Sequence, residues 1–266
     1  MLGKEIRLSK IINPADRRTC VIPMDHAVTQ GGILGLSNAA SSIERIGVEK
    51  PDAFILHKGA FSQLEGKFGL LSRGNFILHL SASTELNSRP VHKCLVSSVE
   101  QAVCFGAVGV SMHVNLGNSY EAEMLADLGK TAEQCYRWGM PLLAMMYVRN
   151  DVDENKTDAE QIAHAARVAQ ELGADIVKIS CPEKIEELSR IIESVQIPVV
   201  ISGGEKMDES SFLTYVDAAL HAGASGVSAG RNIFQSRHPE KQAAWVSDLV
   251  HKRKTLSEIL KNIKLE

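Results

Sequence analysis

The chain has 266 residues, 44% of them hydrophobic, and a formal net charge of -3 with acidic and basic residues interspersed. That length suits one large core, and the mixed charge argues against a nucleic-acid or anionic-membrane surface. No apolar stretch is long enough to span a bilayer, the opening Met1-Leu2-Gly3-Lys4 is no signal peptide, and five scattered cysteines form no C-x-x-C pair, so a cytoplasmic protein with reduced, mostly buried thiols is expected.

Short apolar, β-branched runs recur at intervals of roughly 20–35 residues, as βα units require. In chain order they are Cys20–His26, Ala53–Gly59, Phe76–Ser81, Gly109–Asn115, Pro141–Tyr147, Asp175–Ser180, Pro198–Ser202 and Gly226–Gly230. The helices between them are clearest at Asp158–Leu172, where Ile162, Ala165, Ala166 and Ala169 share a face before Gly173, and at Ser210–Ala222. A final amphipathic segment, Pro239–Ile263, carries Trp245, Leu249 and Leu256. Eight strands separated by helices predict a closed (β/α)8 TIM barrel formed as one domain over residues 1–266. Such a barrel places its chemistry at the C-terminal strand ends, with phosphate often held after the seventh and eighth strands.

Lys178 stands out within the sixth run, Gly173-Ala174-Asp175-Ile176-Val177-Lys178-Ile179-Ser180. An ammonium in an apolar strand loses hydration, which favours the neutral amine, a nucleophile able to form a Schiff base with a carbonyl. The bland alternative is a lysine that reaches solvent or pairs with Asp175. Alternation along strands puts Ile176, Lys178 and Ser180 on one face, Leu143, Met145, Tyr147 and Arg149 on another, and Val21, Pro23 and Asp25 on a third. If those faces point inward, Asp25, Tyr147 and Lys178 converge at the mouth. An amine, a carboxylate and a phenol are what a Schiff-base carbon–carbon reaction needs, since dehydration and bond cleavage both move protons. The bland alternatives are a rim aromatic for Tyr147 and a turn or N-cap residue for Asp25.

Two glycine turns follow, Ser202-Gly203-Gly204-Glu205-Lys206 and Ala229-Gly230-Arg231-Asn232. Backbone N–H groups approach a phosphate closely where side chains are absent, and Arg231 can add a bidentate contact. A rival chemistry is suggested by His26, His57, His79 and His113, which a barrel could gather around a metal. No H-x-H or H-E-x-x-H spacing supports it, and each histidine can be a satisfied polar core residue. Asp151 and Asp153, after the fifth strand, read as part of a solvated loop.

Together these residues resemble the archaeal-type class I aldolase family, which includes fructose-bisphosphate aldolase and 2-amino-3,7-dideoxy-D-threo-hept-6-ulosonate synthase. The similarity runs from Ile22-Pro23-Met24-Asp25-His26 through Leu56-His57-Lys58-Gly59, Ile77-Leu78-His79-Leu80-Ser81, Val114-Asn115 and Ala144-Met145-Met146-Tyr147 to Gly230-Arg231-Asn232-Ile233-Phe234. The resemblance implies that Lys178 forms the Schiff base, that Tyr147 donates and Asp25 accepts the proton, and that Gly203, Gly204, Gly230 and Arg231 hold substrate phosphate. His26, Arg149 and Ser202 would complete the binding set. It further implies a phosphorylated ketose donor resembling 6-deoxy-5-ketofructose 1-phosphate, a small aldehyde acceptor such as L-aspartate semialdehyde, no metal or organic cofactor, and a homo-oligomer. Fructose-bisphosphate cleavage is the first alternative, and coenzyme A-dependent thiolysis of a phosphorylated diketone a more distant one. Met145 stands where fructose-bisphosphate aldolases tend to carry tryptophan, which points to the synthase branch. Val148, Asn150, Ala27 and the Ile179-Ser180-Cys181-Pro182 segment depart from the family pattern on the acceptor side.

Overall fold

Alternating apolar residues on short strands sort the chain into two shells. The computed structural model describes residues 1–48, 50–87, 91–150 and 158–264. Eight strands close into an all-parallel barrel: β1 (Thr19–Pro23), β2 (Ala53–Leu56), β3 (Phe76–His79), β4 (Gly109–Leu116), β5 (Leu142–Val148), β6 (Ile176–Ile179), β7 (Val199–Ser202) and β8 (Gly226–Ser228). Each strand pairs with the next in chain order, and β8 closes onto β1 with Thr19 opposite Gly226. The fold is therefore the expected (β/α)8 barrel. Strand ends fall earlier than anticipated at β1, β2, β3, β6 and β8; the residues after β1 lead into the short helix His26–Gln30 and those after β2 into the helix Lys58–Ser62.

Val21, Ile55, Ile77, Leu143, Met145, Ile176 and Val200 point into the barrel and form the inner core. Their neighbours Ile22, Phe54, Leu56, Leu78, Ala144, Val177 and Ile201 point outward and pack under the helices. The helix Ala159–Glu171 buries the predicted Ile162, Ala165, Ala166 and Ala169. It starts with a capping box in which Asp158 and Gln161 satisfy each other's backbone N–H groups. The helix Glu209–His221 is capped by Asp208 and buries Phe212, Leu213 and Val216.

Three further features differ from expectation. The helix Leu2–Ile11 closes the N-terminal end of the barrel, with Leu8, Ile11 and Ile12 packed against the inner core. The segment from 239 to 263 is two helices, Pro239–Val250 and Leu256–Lys264. Lys252 between them takes a positive φ of 54°, and Thr255 opens the second helix by trading hydrogen bonds with Glu258. The cysteines are free thiols, but only Cys20 and Cys135 are fully buried, whereas Cys94 and Cys104 are exposed on helix and ribbon surfaces.

Candidate active site

Lys178 lies near the C-terminal end of β6, facing inward beside Met145 of β5 and Val200 of β7. Its side chain is buried, at 6% exposure, and no carboxylate lies within ion-pairing distance of its ammonium among the described residues. Asp175 is not its partner. That carboxylate sits at the other end of the strand, where it pairs with Lys4 at 2.8 Å and accepts the Leu142 N–H at 2.9 Å.

A cavity of about 490 Å³ opens above Lys178 and brings Asp25, Tyr147 and the glycine turns to one space. Asp25 follows β1 and precedes the short helix His26–Gln30, but its carboxylate does not cap that helix. It faces His79 Nε2 at 3.6 Å and His26 Nδ1 at 3.5 Å. Burial opposes ionisation of Asp25, yet the surrounding His79, His26, Lys178 and His57 hold its carboxyl well below the usual carboxylate range. Burial pushes the histidines the other way: His79 falls to about 3, and His26, His57 and His113 are also lowered. The environment is thus a carboxylate ringed by neutral imidazoles. His79 is fixed from behind by Ser111 Oγ at 2.8 Å, and His57 packs edge-on against it at 5.1 Å.

Tyr147, at the end of β5, is half-buried between His113, whose ring lies 4.7 Å away, and Arg149, whose guanidinium carbon lies 5.8 Å from its centroid. Its ring therefore belongs to the cavity wall and not to the outer rim.

The two glycine turns are clamped together. Asn232 Nδ2 donates to the carbonyls of Gly203 and Glu205, each at 2.8 Å, and its Oδ1 accepts from Met207 N at 2.8 Å. Tyr215 donates to the Ser202 carbonyl at 2.8 Å, and Arg231 to that of Gly204 at 3.3 Å. Gly204 has φ 66°, and a Cβ at Gly230 would lie 2.5 Å from the Pro23 carbonyl oxygen. Both positions need glycine, one for conformation and one for space. The result is a rigid, polar cradle of backbone groups beside Arg231, on the cavity wall formed by β7 and β8.

All ten predicted site residues line this cavity. Lys93, Thr29 and Gln30 also line it without having been singled out in the sequence, as do His113, named there only as a candidate metal ligand, and Asn232, quoted only within its glycine turn. Lys93 arrives on a two-stranded ribbon, Ser81–Ala82 paired with Cys94–Leu95, that no local pattern announces. Asp151 and Asp153 lie outside the described residues. Among the described residues, no three His, Cys, Asp or Glu side chains are grouped as metal ligands. Nor is any described helix long and apolar enough to cross a membrane.

Residues 11–236 match the family model described as DeoC/LacD family aldolase. The 2-amino-3,7-dideoxy-D-threo-hept-6-ulosonate synthase 1 of Archaeoglobus fulgidus is 40% identical over 262 residues, which cover 98% of this chain and 95% of that protein. The 2-amino-4,5-dihydroxy-6-oxo-7-(phosphonooxy)heptanoate synthase of Streptomyces griseus is 38% identical over 250 residues, covering 94% and 90%. Among solved structures, an archaeal fructose-1,6-bisphosphate aldolase with its catalytic lysine covalently bound to the carbinolamine intermediate of the substrate matches with a TM-score of 0.83 at 27% identity, covering 94% of this chain and 99% of that one.

Proposed function

The chain belongs to the DeoC/LacD family of aldolases, and from that premise we propose that it is a Schiff-base transaldolase that takes a ketone fragment from a phosphorylated ketose and transfers it to a small aldehyde. The observation that carries this reading is Lys178: a buried amine without a carboxylate partner among the described residues, in one cavity with Asp25, Tyr147 and the glycine cradle. In this reading the donor is a 6-deoxy-5-ketofructose 1-phosphate-like sugar and the acceptor is L-aspartate semialdehyde, as the resemblance of the sequence to the synthase branch implies, feeding an aromatic-type biosynthetic route.

The chemistry follows from the groups present. The Lys178 amine adds to the donor ketone, forming a carbinolamine. Loss of water, with a proton delivered to the departing hydroxyl, leaves an iminium. The iminium withdraws the electron pair of the carbon–carbon bond beyond its α-carbon as a base removes the proton of the neighbouring hydroxyl. That bond breaks, an aldehyde leaves and an enamine remains on Lys178. The enamine carbon then attacks the acceptor aldehyde, whose oxygen takes up a proton, and water hydrolyses the new iminium to free the lysine. Tyr147 is the proton donor and Asp25 the acceptor, the latter held ionised by its surroundings. Gly203, Gly204, Gly230, Arg231 and Ser202 grip the donor phosphate, with His26 and Arg149 in contact with substrate. The reading extends to a cytoplasmic homo-oligomer that uses no metal or organic cofactor.

Borohydride added with a phosphorylated ketose tests it. Reduction of the iminium should leave a stable adduct, located by mass spectrometry on the peptide containing Lys178. No adduct, or one on another lysine, sinks the reading.

A further inference from the structure

Two cations stand on the side of the cavity away from the phosphate cradle. Lys93 immediately precedes the ribbon strand Cys94–Leu95, inserted in the chain between β3 and β4, Arg149 follows β5, and both line the cavity. In the closed strand order the cradle at β7 and β8 is roughly diametrically opposite the ribbon, with Lys178 on β6 between the cradle and Arg149.

The ribbon is built to hold Lys93 in place. Asn115 of β4, itself buried, donates to the Val91 carbonyl at 2.6 Å, and its Oδ1 meets His113 Nε2 at 2.8 Å. His92 stacks flat on Tyr120 at 4.4 Å and pairs with Glu123 at 3.1 Å. On the far side, Val96 N donates to the Leu80 carbonyl at 2.8 Å. The backbone is thus tied on both sides of Lys93. Its ammonium donates to Ser83 Oγ within the ribbon and meets no carboxylate at ion-pair distance among the described residues. Burial lowers its affinity for a proton, and Arg149 adds to that effect, while Asp25 and Glu85 oppose it. Lys93 is half-buried and Arg149 exposed, both line the cavity, and an anion bound there would relieve the repulsion between their like charges.

Resting on the transaldolase reading above, we propose that Lys93 and Arg149 form a second anion site that takes the negatively charged group of the acceptor aldehyde and so restricts acceptors to anionic ones. The geometry suits the reaction. Donor phosphate on the cradle leaves the enamine on Lys178 facing the opposite wall, from which an acceptor anchored at Lys93 would present its carbonyl. Lys93 is a positioning and specificity residue in this scheme, with no part in proton transfer.

The test compares three acceptors with one donor: succinic semialdehyde, glyceraldehyde 3-phosphate and neutral butanal. The native enzyme should prefer both anionic aldehydes. Lys93→Gln should lower the anionic-to-neutral ratio of kcat/KM by about tenfold or more, the scale of one hydrogen bond to a charged group. Lys93→Arg, which keeps the charge, should retain most of the preference. A larger loss with succinic semialdehyde identifies a carboxylate as the group read, and a larger loss with glyceraldehyde 3-phosphate identifies a phosphate. Equal losses for charged and neutral acceptors, or none, overturn the proposal. Borohydride trapping of donor alone is run on every variant. Absence of a Lys178 adduct in the native enzyme refutes the underlying reading, whereas an adduct together with an unchanged anionic preference in Lys93→Gln refutes only the anion site.

Discussion

The two ends of the barrel use charge in opposite ways. At the N-terminal end, charged side chains are partnered: Lys4 with Asp175 at 2.8 Å, His251 with Asp16 and Asp52, Lys254 with Asp248 at 2.8 Å, and Arg18 with the Val250 carbonyl at 2.9 Å. A cavity of about 660 Å³ lies among Arg18, His221, Arg253 and Lys254, larger than the one at the mouth, yet its cations are largely engaged with Asp217, Asp248 and backbone. At the C-terminal end, Asp25 Oδ1, His26 Nδ1 and Ser228 Oγ are buried without a hydrogen-bond partner, and Lys178 has no carboxylate within ion-pair distance among the described residues. Buried polar groups are ordinarily satisfied, so a cluster of unsatisfied ones marks where a ligand belongs. The size of a cavity does not distinguish the two ends. The clustering of unmet bonding in one cavity does, since the other buried groups without a hydrogen-bond partner among the described residues, Thr19 Oγ1, Ser97 Oγ and the Gln242 amide, lie outside the mouth cavity.

The largest effect should come from breaking the mouth at Lys178. Lys178→Arg keeps a cation but cannot form an imine, so turnover and the borohydride adduct should both vanish while circular dichroism stays native. Full activity in that variant would remove Lys178 from the chemistry. Next comes Tyr147→Phe, which keeps the ring against His113 and removes only the hydroxyl. Its kcat should fall by about 10²–10⁴-fold, the usual contribution of a positioned acid or base, with donor binding retained. A kcat within twofold of native would leave the phenol a bystander.

Arg231→Ala is a smaller change at the same end. It removes a cation but leaves the cradle held by Asn232. Donor binding should weaken by about 1.5–3 kcal/mol, the scale for hydrogen bonds to charged groups. A dephosphorylated donor should bind poorly to both proteins and lose little more, so four KM values complete a cycle. Equal losses for both donors would make Arg231 a structural residue.

What could be read in the chain follows the range of the forces involved. The inward parity of Asp25, Tyr147 and Lys178 depends only on the two-residue period of a strand, and the cradle depends on glycines that relieve local crowding. The division of the last segment was also written locally, in the Thr255-Leu256-Ser257-Glu258 capping pattern, but a long amphipathic run masked it. By contrast, the Leu2–Ile11 plug leaves Leu2 and Ile6 exposed and shows its purpose only where Ile11 meets the barrel floor. Lys93 is placed by Asn115 holding Val91 across 24 residues, and the pairing of Asp25 with His79 joins β1 to β3. No local pattern carries such contacts.

The smallest effect belongs to the partnered end and should touch stability without touching chemistry. His251, only 3% exposed, sits between Asp16 at 2.7 Å and Asp52 at 3.0 Å. Burial resists its protonation, but hydrogen bonds and charge from Asp52 and Asp16 outweigh it and raise its pKa above 6.5. Burial likewise resists ionisation of Asp16, while His251 and Arg18 outweigh it and lower its pKa below 3.8. A raised histidine contributes stability in full below 6.5 and loses it as pH rises through the folded value; a lowered carboxylate contributes above 3.8 and loses it as pH falls. The staple is therefore strongest between those limits. His251→Gln keeps a hydrogen-bonding group but cannot titrate, so its melting temperature should trail the native protein most near about pH 5 and least near about pH 9. Each kcal/mol corresponds to a shift of about 2–4 °C in a chain of this size. Turnover at a temperature where both proteins are folded should be equal, because the staple lies at the opposite end from Lys178. A gap that stays constant across pH would mean that His251 works by packing alone, and the charge contrast between the two ends would then rest on Lys4 and Asp175.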